Sequence, residues 1–384
     1  MMWRDGVVEQ LHSTWGGCAM VWVRIEAAPA NARVYLPGEK VKALLYTDLF
    51  GQAQIGERVR IEVSALARSL GTGGHAMVGA RLDQLNDDVE PAGHLVKARY
   101  MPNQKLVTSV DEPGTAHHQL LNTELDLAGA AVVVADLHSA LPAIIAGARC
   151  PLVDEDPSQA PLPKIAYVMS DGAALPLPYS RSVFGLKQAG WLVGSVATGQ
   201  SWGGDLEAVS LHNGLLAARH VLGADIIVLT QGPGNLGSDT PWGFSGVACA
   251  DALNAAAVLE GEPIASLRVS EADARARHLG ISHHSLTAYS RATLCSALIP
   301  VPELDGEFGE LVKSQACQLA LARKLGQPHR LVSVSCQGLD EALATSPVKL
   351  STMGRGLDQD RASFITAAAA GRAARAHWLK TLES

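Results

Sequence analysis

From residue 131 onward the chain repeats one device: a short, mostly apolar run, then a segment whose apolar residues recur at helical spacing. Ala131–Ala135 (Ala-Val-Val-Val-Ala) is the first run. Ile165–Met169, Ser195–Thr198, Ile226–Thr230, Ile264–Val269 and Leu331–Ser335 follow it. A strand that is apolar on both faces has to be covered on both, and parallel strands with crossover helices do this. Helices are predicted from about Ser139, near Tyr179–Ala189, Leu206–Leu222, Val247–Leu259 and Ser285–Leu298, and a short one near Leu339–Ala344. In the third, Leu211, Leu215, Ala218 and Leu222 make one apolar stripe. The alanine-rich segment Ala362–Leu379 is predicted as a surface helix.

The first ~100 residues follow a different rule, the period-2 alternation of half-buried strands. Val59, Ile61 and Val63 alternate with Arg58, Arg60 and Glu62; Val21, Val23 and Ile25 alternate with Trp22, Arg24 and Glu26. Gly51, Gly56 and the Gly71-Thr72-Gly73-Gly74 run supply turns. The predicted architecture is therefore an N-terminal small β-barrel or sandwich, residues 1–105, followed by a mostly parallel, Rossmann-like three-layer α/β domain, residues 106–384. A Pro-rich, acidic loop near 151–163 interrupts the second domain.

Composition sets limits on partners. The 384 residues carry a formal net charge of −7, and no basic stripe of the kind nucleic-acid binders show is visible. No stretch is long and apolar enough to span a bilayer, and the N-terminus shows no secretory core. Cys18, Cys150, Cys249, Cys295, Cys317 and Cys336 are scattered without a CxxC pair, against a zinc ribbon or a disulfide framework. The expectation is a cytoplasmic protein that binds a small molecule and neither nucleic acid nor membrane. A homo-oligomer is left open.

In an open parallel sheet, ligands bind beyond the carboxyl ends of the strands. The segments at those positions are polar and glycine-rich: Asp136 and His138; Ser170-Asp171-Gly172; Gly199 to Asp205; Gln231 to Thr240; Glu271 to His284; Cys336-Gln337-Gly338. Together they predict one shared ligand rim. Gly232-Pro233-Gly234-Asn235-Leu236-Gly237 spells GxGxxG, but its helix starts late and Pro233 removes a donor. It reads as an anion-cradling loop or a tight turn. Gly199-Gln200-Ser201-Trp202-Gly203 spells GxSxG between a strand and a predicted helix, the setting of a nucleophilic serine. Asp205, at that helix's start, also reads as its N-cap.

The stretch from Arg275 to His284 concentrates Arg275, Arg277, His278, His283 and His284. Arginine forks suit phosphate or carboxylate, and histidine supplies acid/base chemistry or a metal ligand. Adjacent on a helix, His283 and His284 are predicted to point about 100° apart, which argues against their sharing an ion.

Several of these segments carry a resemblance. Ser170-Asp171-Gly172-Ala173-Ala174-Leu175-Pro176, Gly203-Gly204-Asp205-Leu206-Glu207-Ala208, Gly232-Pro233-Gly234, Arg277-His278-Leu279-Gly280-Ile281-Ser282-His283-His284 and Leu70-Gly71-Thr72-Gly73-Gly74 resemble a bacterial domain-of-unknown-function family, number 3866. The resemblance implies that these pieces belong to one protein type and brings no activity with it. In the family pattern a histidine is common where Gln200 stands and the residue at Ser201 varies, which implies that neither is indispensable.

The leading expectation is a site for an anionic, phosphorylated or similar ligand. Gly203, Gly204, Asp205, Gly232, Gly234 and Thr240 would cradle it, and Arg275 and Arg277 would neutralise it. His278, His283 or His284 would act as acid or base, with Asp171 and Asp136 orienting a histidine or binding a cation. The alternatives are a serine hydrolase using Ser201, a metal-dependent hydrolase drawing on Asp136, His138 or Asp205, and a non-enzymatic sensor or scaffold. No cofactor is indicated by the sequence.

Overall fold

In the computed structural model, residues 1–383 are described apart from 72, 89, 91 and 323–325. The turn Leu70-Gly71-Thr72-Gly73-Gly74 therefore has Thr72 outside the described residues. The chain divides into two compact units. The first comprises Met1–Ala92, Met101–Lys105 and Pro178–Phe184; the second comprises Gly93–Tyr100, Leu106–Leu177 and Gly185–Ser384.

The first unit is a closed barrel, not a sandwich. Its strands are β1 (Trp3–Trp15), β2 (Cys18–Ala27), β3 (Lys40–Tyr46), β4 (Arg58–Glu62) and β5 (Ala76–Arg81). They pair in the order β1-β2-β3-β5-β4, with β4 returning to β1; only β3 and β5 run parallel. The alternating residues do as their period requires: Val21, Val23, Ile25, Val59, Ile61 and Val63 fill the barrel. Outside, Arg60 meets Asp5 on the neighbouring strand through two bonds of 2.6 and 2.8 Å.

The second unit is built on eight parallel strands: β6 (Ala131–Ala135), β7 (Ile165–Ser170), β8 (Gly194–Thr198), β9 (Leu206–Ala208), β10 (Ile226–Gln231), β11 (Glu262–Ala265), β12 (Leu298–Pro302) and β13 (Arg330–Val334). They lie in the order β9-β8-β7-β10-β6-β11-β12-β13. Helices α2 (Leu211–His220), α3 (Cys249–Val258) and α5 (Gly306–Leu321) cover one face, where Val132, Val134, Ile227 and Leu229 point. Helices α1 (Leu141–Arg149), α6 (Leu339–Ala344) and α7 (Arg361–Glu383) cover the other. A five-residue helix, α4 (His283–Thr287), stands at the carboxyl ends of the strands.

Three expectations are corrected. First, the predicted helix 206–222 is strand β9 followed by α2, whose N-cap is Ser210; its hydroxyl accepts from the Asn213 N–H at 3.2 Å. Second, the predicted helix 285–298 is α4 running into a π turn over Ala288–Ala292, and β12 follows where no strand was expected. Pro300 and Pro302 argue against a strand there. The ladder from β11 to β12 consists of one pair, Ile264 with Leu298, so both prolines fall beyond it and cost it nothing.

Third, the alanine-rich helix α7 is buried. Ala362 to Ala374 are almost all inaccessible to solvent, as are Arg375 and Trp378. A helix apolar all round belongs in a core, and small side chains let it approach closely. A Cβ on Gly147 would lie 1.9 Å from the Ala368 carbonyl oxygen, and one on Gly371 would lie 1.8 Å from that of Ile144. Helices α1 and α7 therefore touch backbone to backbone. The Pro-rich loop earns its acidity here: Glu155 takes two bonds of 2.8 Å from the buried Arg375 guanidinium.

The topology fixes where a site belongs. Strands β6 and β10 are neighbours, yet the chain leaves β6 for β7 on one side and β10 for β11 on the other. Such a reversal opens a crevice at the carboxyl ends of the central strands.

Candidate functional site

Asp136 is the first residue after β6, and Arg268 follows β11 by three residues. Beyond Arg268, Val269–Ser270 pairs antiparallel with Gly280–Ile281. This small hairpin folds the next segment back beside Arg268. Ser282 then caps α4, accepting from the His284 N–H at 3.3 Å, and the same hydroxyl lies 2.7 Å from Nδ1 of His278.

Three histidines meet as a result. Ring centroids are 4.4 Å apart for His283 and His284, 4.9 Å for His278 and His283, and 5.2 Å for His278 and His284. One potential ligand nitrogen from each lies within 4.8 Å of the others. The expectation that His283 and His284 diverge is thus corrected. At the first turn of a helix this short, side-chain rotation brings the two rings together at an interplanar angle of 71°.

The surroundings hold two of the rings in place. Asp136 Oδ2 is 3.1 Å from Nδ1 of His284 and 3.3 Å from Nη1 of Arg268, which itself lies 2.9 Å from that Nδ1. Phe244 stacks on His284 at 4.0 Å with the planes 6° apart. Burial pushes the Asp136 carboxyl up, but Arg268 and His284 together outweigh it and leave it below the usual carboxylate range. Desolvation, then Arg268 and Arg275, push His278 down to about 3. Desolvation, then His284 and Arg277, lower His283 as well. Both rings are neutral at pH 7. The His283 ring makes no hydrogen bond among the described residues.

His283 also lines an open pocket of about 600 Å³. Asp239, Thr240, Arg277, Arg291 and Gln318 share its wall. Arg277 is ion-paired to Asp239. Arg291 makes no ion pair among the described residues.

A family model described as a protein of unknown function, DUF3866, matches residues 42–371. The chain belongs to this family. The match runs from within β3 into α7, so the whole histidine cluster lies inside it. The description names no activity, and no curated protein matches the chain.

The other predicted residues of this DUF3866 protein do not converge on the histidines. Asp171 accepts from the Gln200 N–H at 3.0 Å and so ties the end of β7 to the loop after β8. Ser201 is fully buried, and its hydroxyl donates to the Ser170 carbonyl at 3.4 Å. Since β9 and not a helix follows it, the strand–turn–helix setting of a nucleophilic serine is missing. Asp205 is no N-cap: it accepts from the Ser195 N–H and hydroxyl, each at 2.8 Å, and pairs with Lys187.

The Gly203 and Gly204 amides do cradle an anion, and it belongs to the chain. Both donate to Glu207 Oε1, at 2.6 and 3.2 Å. Gly232 is small because a Cβ there would sit 2.3 Å from the Ala174 carbonyl oxygen, and Gly234 faces open space. Thr240 Oγ1 accepts from the Gly243 N–H at 3.1 Å and remains at the pocket edge. Arg275 is spent on Asp273 in a two-bond pair of 2.9 and 2.8 Å. His138 sits 3.0 Å from the Tyr167 hydroxyl, in a buried group with Thr230 apart from the three histidines. The predicted metal set Asp136, His138 and Asp205 is therefore not brought together.

The sequence reading missed Arg268, Phe244 and Arg291. Arg268 lies in what reads as a strand, and Phe244 and Arg291 sit in segments with no local motif. Their roles come only from tertiary approach.

Proposed function

We propose that the protein binds an anionic small molecule, of the phosphate or carboxylate class, in the pocket beside His283, and that His283 exchanges a proton with it. One observation carries this reading: an imidazole with no hydrogen bond and a guanidinium with no ion pair, both among the described residues, line one pocket wall. Arg291 supplies the fixed charge, and Arg277 can turn from the exposed Asp239 to add a second fork. A neutral His283 acts first as a base; an anion beside it raises its proton affinity. A cytoplasmic setting is part of the reading, since the six cysteines stand as free thiols, as a reducing compartment keeps them.

The test is calorimetric titration of the full chain with inorganic phosphate and with small phosphorylated and carboxylic acids. Arg291→Ala is expected to weaken binding by about tenfold or more, in line with a charge-assisted hydrogen bond. The His283 pKa, followed by NMR, rises on binding. Unchanged affinity in both Arg291→Ala and Arg277→Ala would sink the reading.

A further inference from the structure

We infer that His278, His283 and His284 form the binding site of a single divalent transition-metal ion of the zinc class, beside the pocket. Three imidazoles with one open position is a recurrent protein arrangement for such an ion. Nothing in the sequence spacing announced it, because the hairpin Val269–Ser270/Gly280–Ile281 and the cap at Ser282 create the convergence.

The hydrogen bonds assign the ligand atoms. Nδ1 of His278 is engaged with the Ser282 hydroxyl, and Nδ1 of His284 with Asp136. That leaves Nε2 on both rings for the ion. A histidine whose other nitrogen donates to a carboxylate is the usual metal-ligand arrangement, with the carboxylate fixing tautomer and orientation. Phe244 fixes the plane of the same ring. The His283 ring, which makes no hydrogen bond among the described residues, has no hydrogen bond to give up on turning.

The distances are those of an open site. Donor atoms within 4.8 Å of one another must close to about 3.4 Å around a tetrahedral zinc with bonds near 2.05 Å. Rotation of the His283 ring, which no hydrogen bond among the described residues holds, supplies most of such a change. A packed aromatic cluster is the competing account. It leaves imidazole nitrogens without partners, where a phenylalanine or leucine would fill the same space at no polar cost. In that account Arg268 donates to Nδ1 of His284, so that the proton sits on Nε2 and the ring is no ligand.

Charge links the ion to the ligand. Asp136 and Arg268 offset each other, so a bound divalent ion keeps its full charge. An anion in the adjoining pocket, beside Arg291, then supplies the missing ligand and compensates that charge. The inference uses the same site as the anion pocket but does not need the anion to be bound; with the ion in place His283 is a ligand, and its proton exchange with the anion belongs to the metal-free protein.

The full chain, treated with chelator and then freed of it, is titrated with Co²⁺ and separately with Zn²⁺. The expected result is one ion per chain and the visible ligand-field band of four-coordinate Co²⁺. His278→Ala and His283→Ala, shown folded by circular dichroism and thermal melting, lose that band and bind about 100-fold more weakly or worse. His283→Gln carries the test should His278→Ala fail to fold. Asp136→Asn, a positioning change, keeps the band and weakens binding by about 10- to 100-fold. No band in the parent protein, or equal binding in the histidine variants, overturns the inference. Phosphate titrated into the metal-free protein separates the two ideas. Phosphate binding without metal binding leaves the pocket and removes the ion, and metal binding without phosphate binding does the reverse.

Discussion

The Asp136 carboxylate lies 3.1 Å from the His284 ring nitrogen, and no residue adjacent in sequence to either predicts the meeting. Asp136 also neutralises Arg268, whose side chain is mostly buried. Removing the carboxylate leaves that cation without its charge partner. Asp136→Ala should therefore cost roughly 3–5 kcal/mol in urea denaturation of the metal-free protein. Asp136→Asn keeps an acceptor oxygen for Arg268 and should cost only about 1–2 kcal/mol. Equal costs for the two would show that the pair contributes no charge-dependent stability.

Acid should destabilise the protein well before its carboxylates titrate. Burial lowers His138 to about 4 and His278 to about 3, and lowers His283 too. The unfolded chain titrates these rings near 6.5, so between the folded and unfolded values it binds more protons than the folded one. Stability is complete above about pH 6.5 and falls as pH drops through that window, by up to roughly 1.4 kcal/mol per pH unit for each of His138 and His278 and by less for the more open, solvent-screened His283. The depressed Asp136 adds a loss in the same direction at lower pH. Melting temperatures from pH 7.5 to 4.5 should decline steadily, and His138→Gln should flatten the decline. A profile level across that range refutes this account.

What the sequence discloses follows from where each signal resides. Ala131–Ala135 was legible because a central parallel strand must be apolar at every position. Val59, Ile61 and Val63 were legible because a barrel strand has one wet face. Strand β12 was hidden by its own Pro300 and Pro302, which local rules exclude and a one-pair ladder permits. Helix α7 looked like a surface element because alanine carries no strong preference for the core; its burial depends on Gly371 meeting Ile144 on another helix. At the site, the density of histidine and arginine was visible from 275 to 284. The partners that give those residues meaning, Asp136, Arg268 and Phe244, were scattered over more than a hundred positions.

The α1–α7 contact is a sensitive point in the fold. A methyl group at Gly371 would meet the Ile144 carbonyl at 1.8 Å, and backbone cannot rotate away as a side chain can. The two helices must separate instead, opening the alanine-lined interface. Gly371→Ala should cost on the order of 3 kcal/mol despite alanine's better helix propensity. Chemical denaturation measures this. A gain in stability would mean that the helices are not in backbone contact.

Lys97 and Glu207 test whether the Gly203–Gly204 loop is a ligand cradle or a structural joint. Lys97 is fully buried; its Nζ donates to the carbonyls of Ala197, Ser201 and Ala208 and lies 3.3 Å from Glu207 Oε2. Burial pushes the lysine's pKa down and the glutamate's up, with each partner opposing the change in the other. Lys97→Met strands the carboxylate and three carbonyls and should cost roughly 3–5 kcal/mol. Adding Glu207→Gln removes the stranded charge and should recover part of that loss, a coupling that a double-mutant cycle reads directly. Phosphate affinity at the His283 pocket should be the same in Glu207→Gln as in the parent. A marked rise in phosphate binding on removing the resident carboxylate would instead make the loop an anion site in its own right.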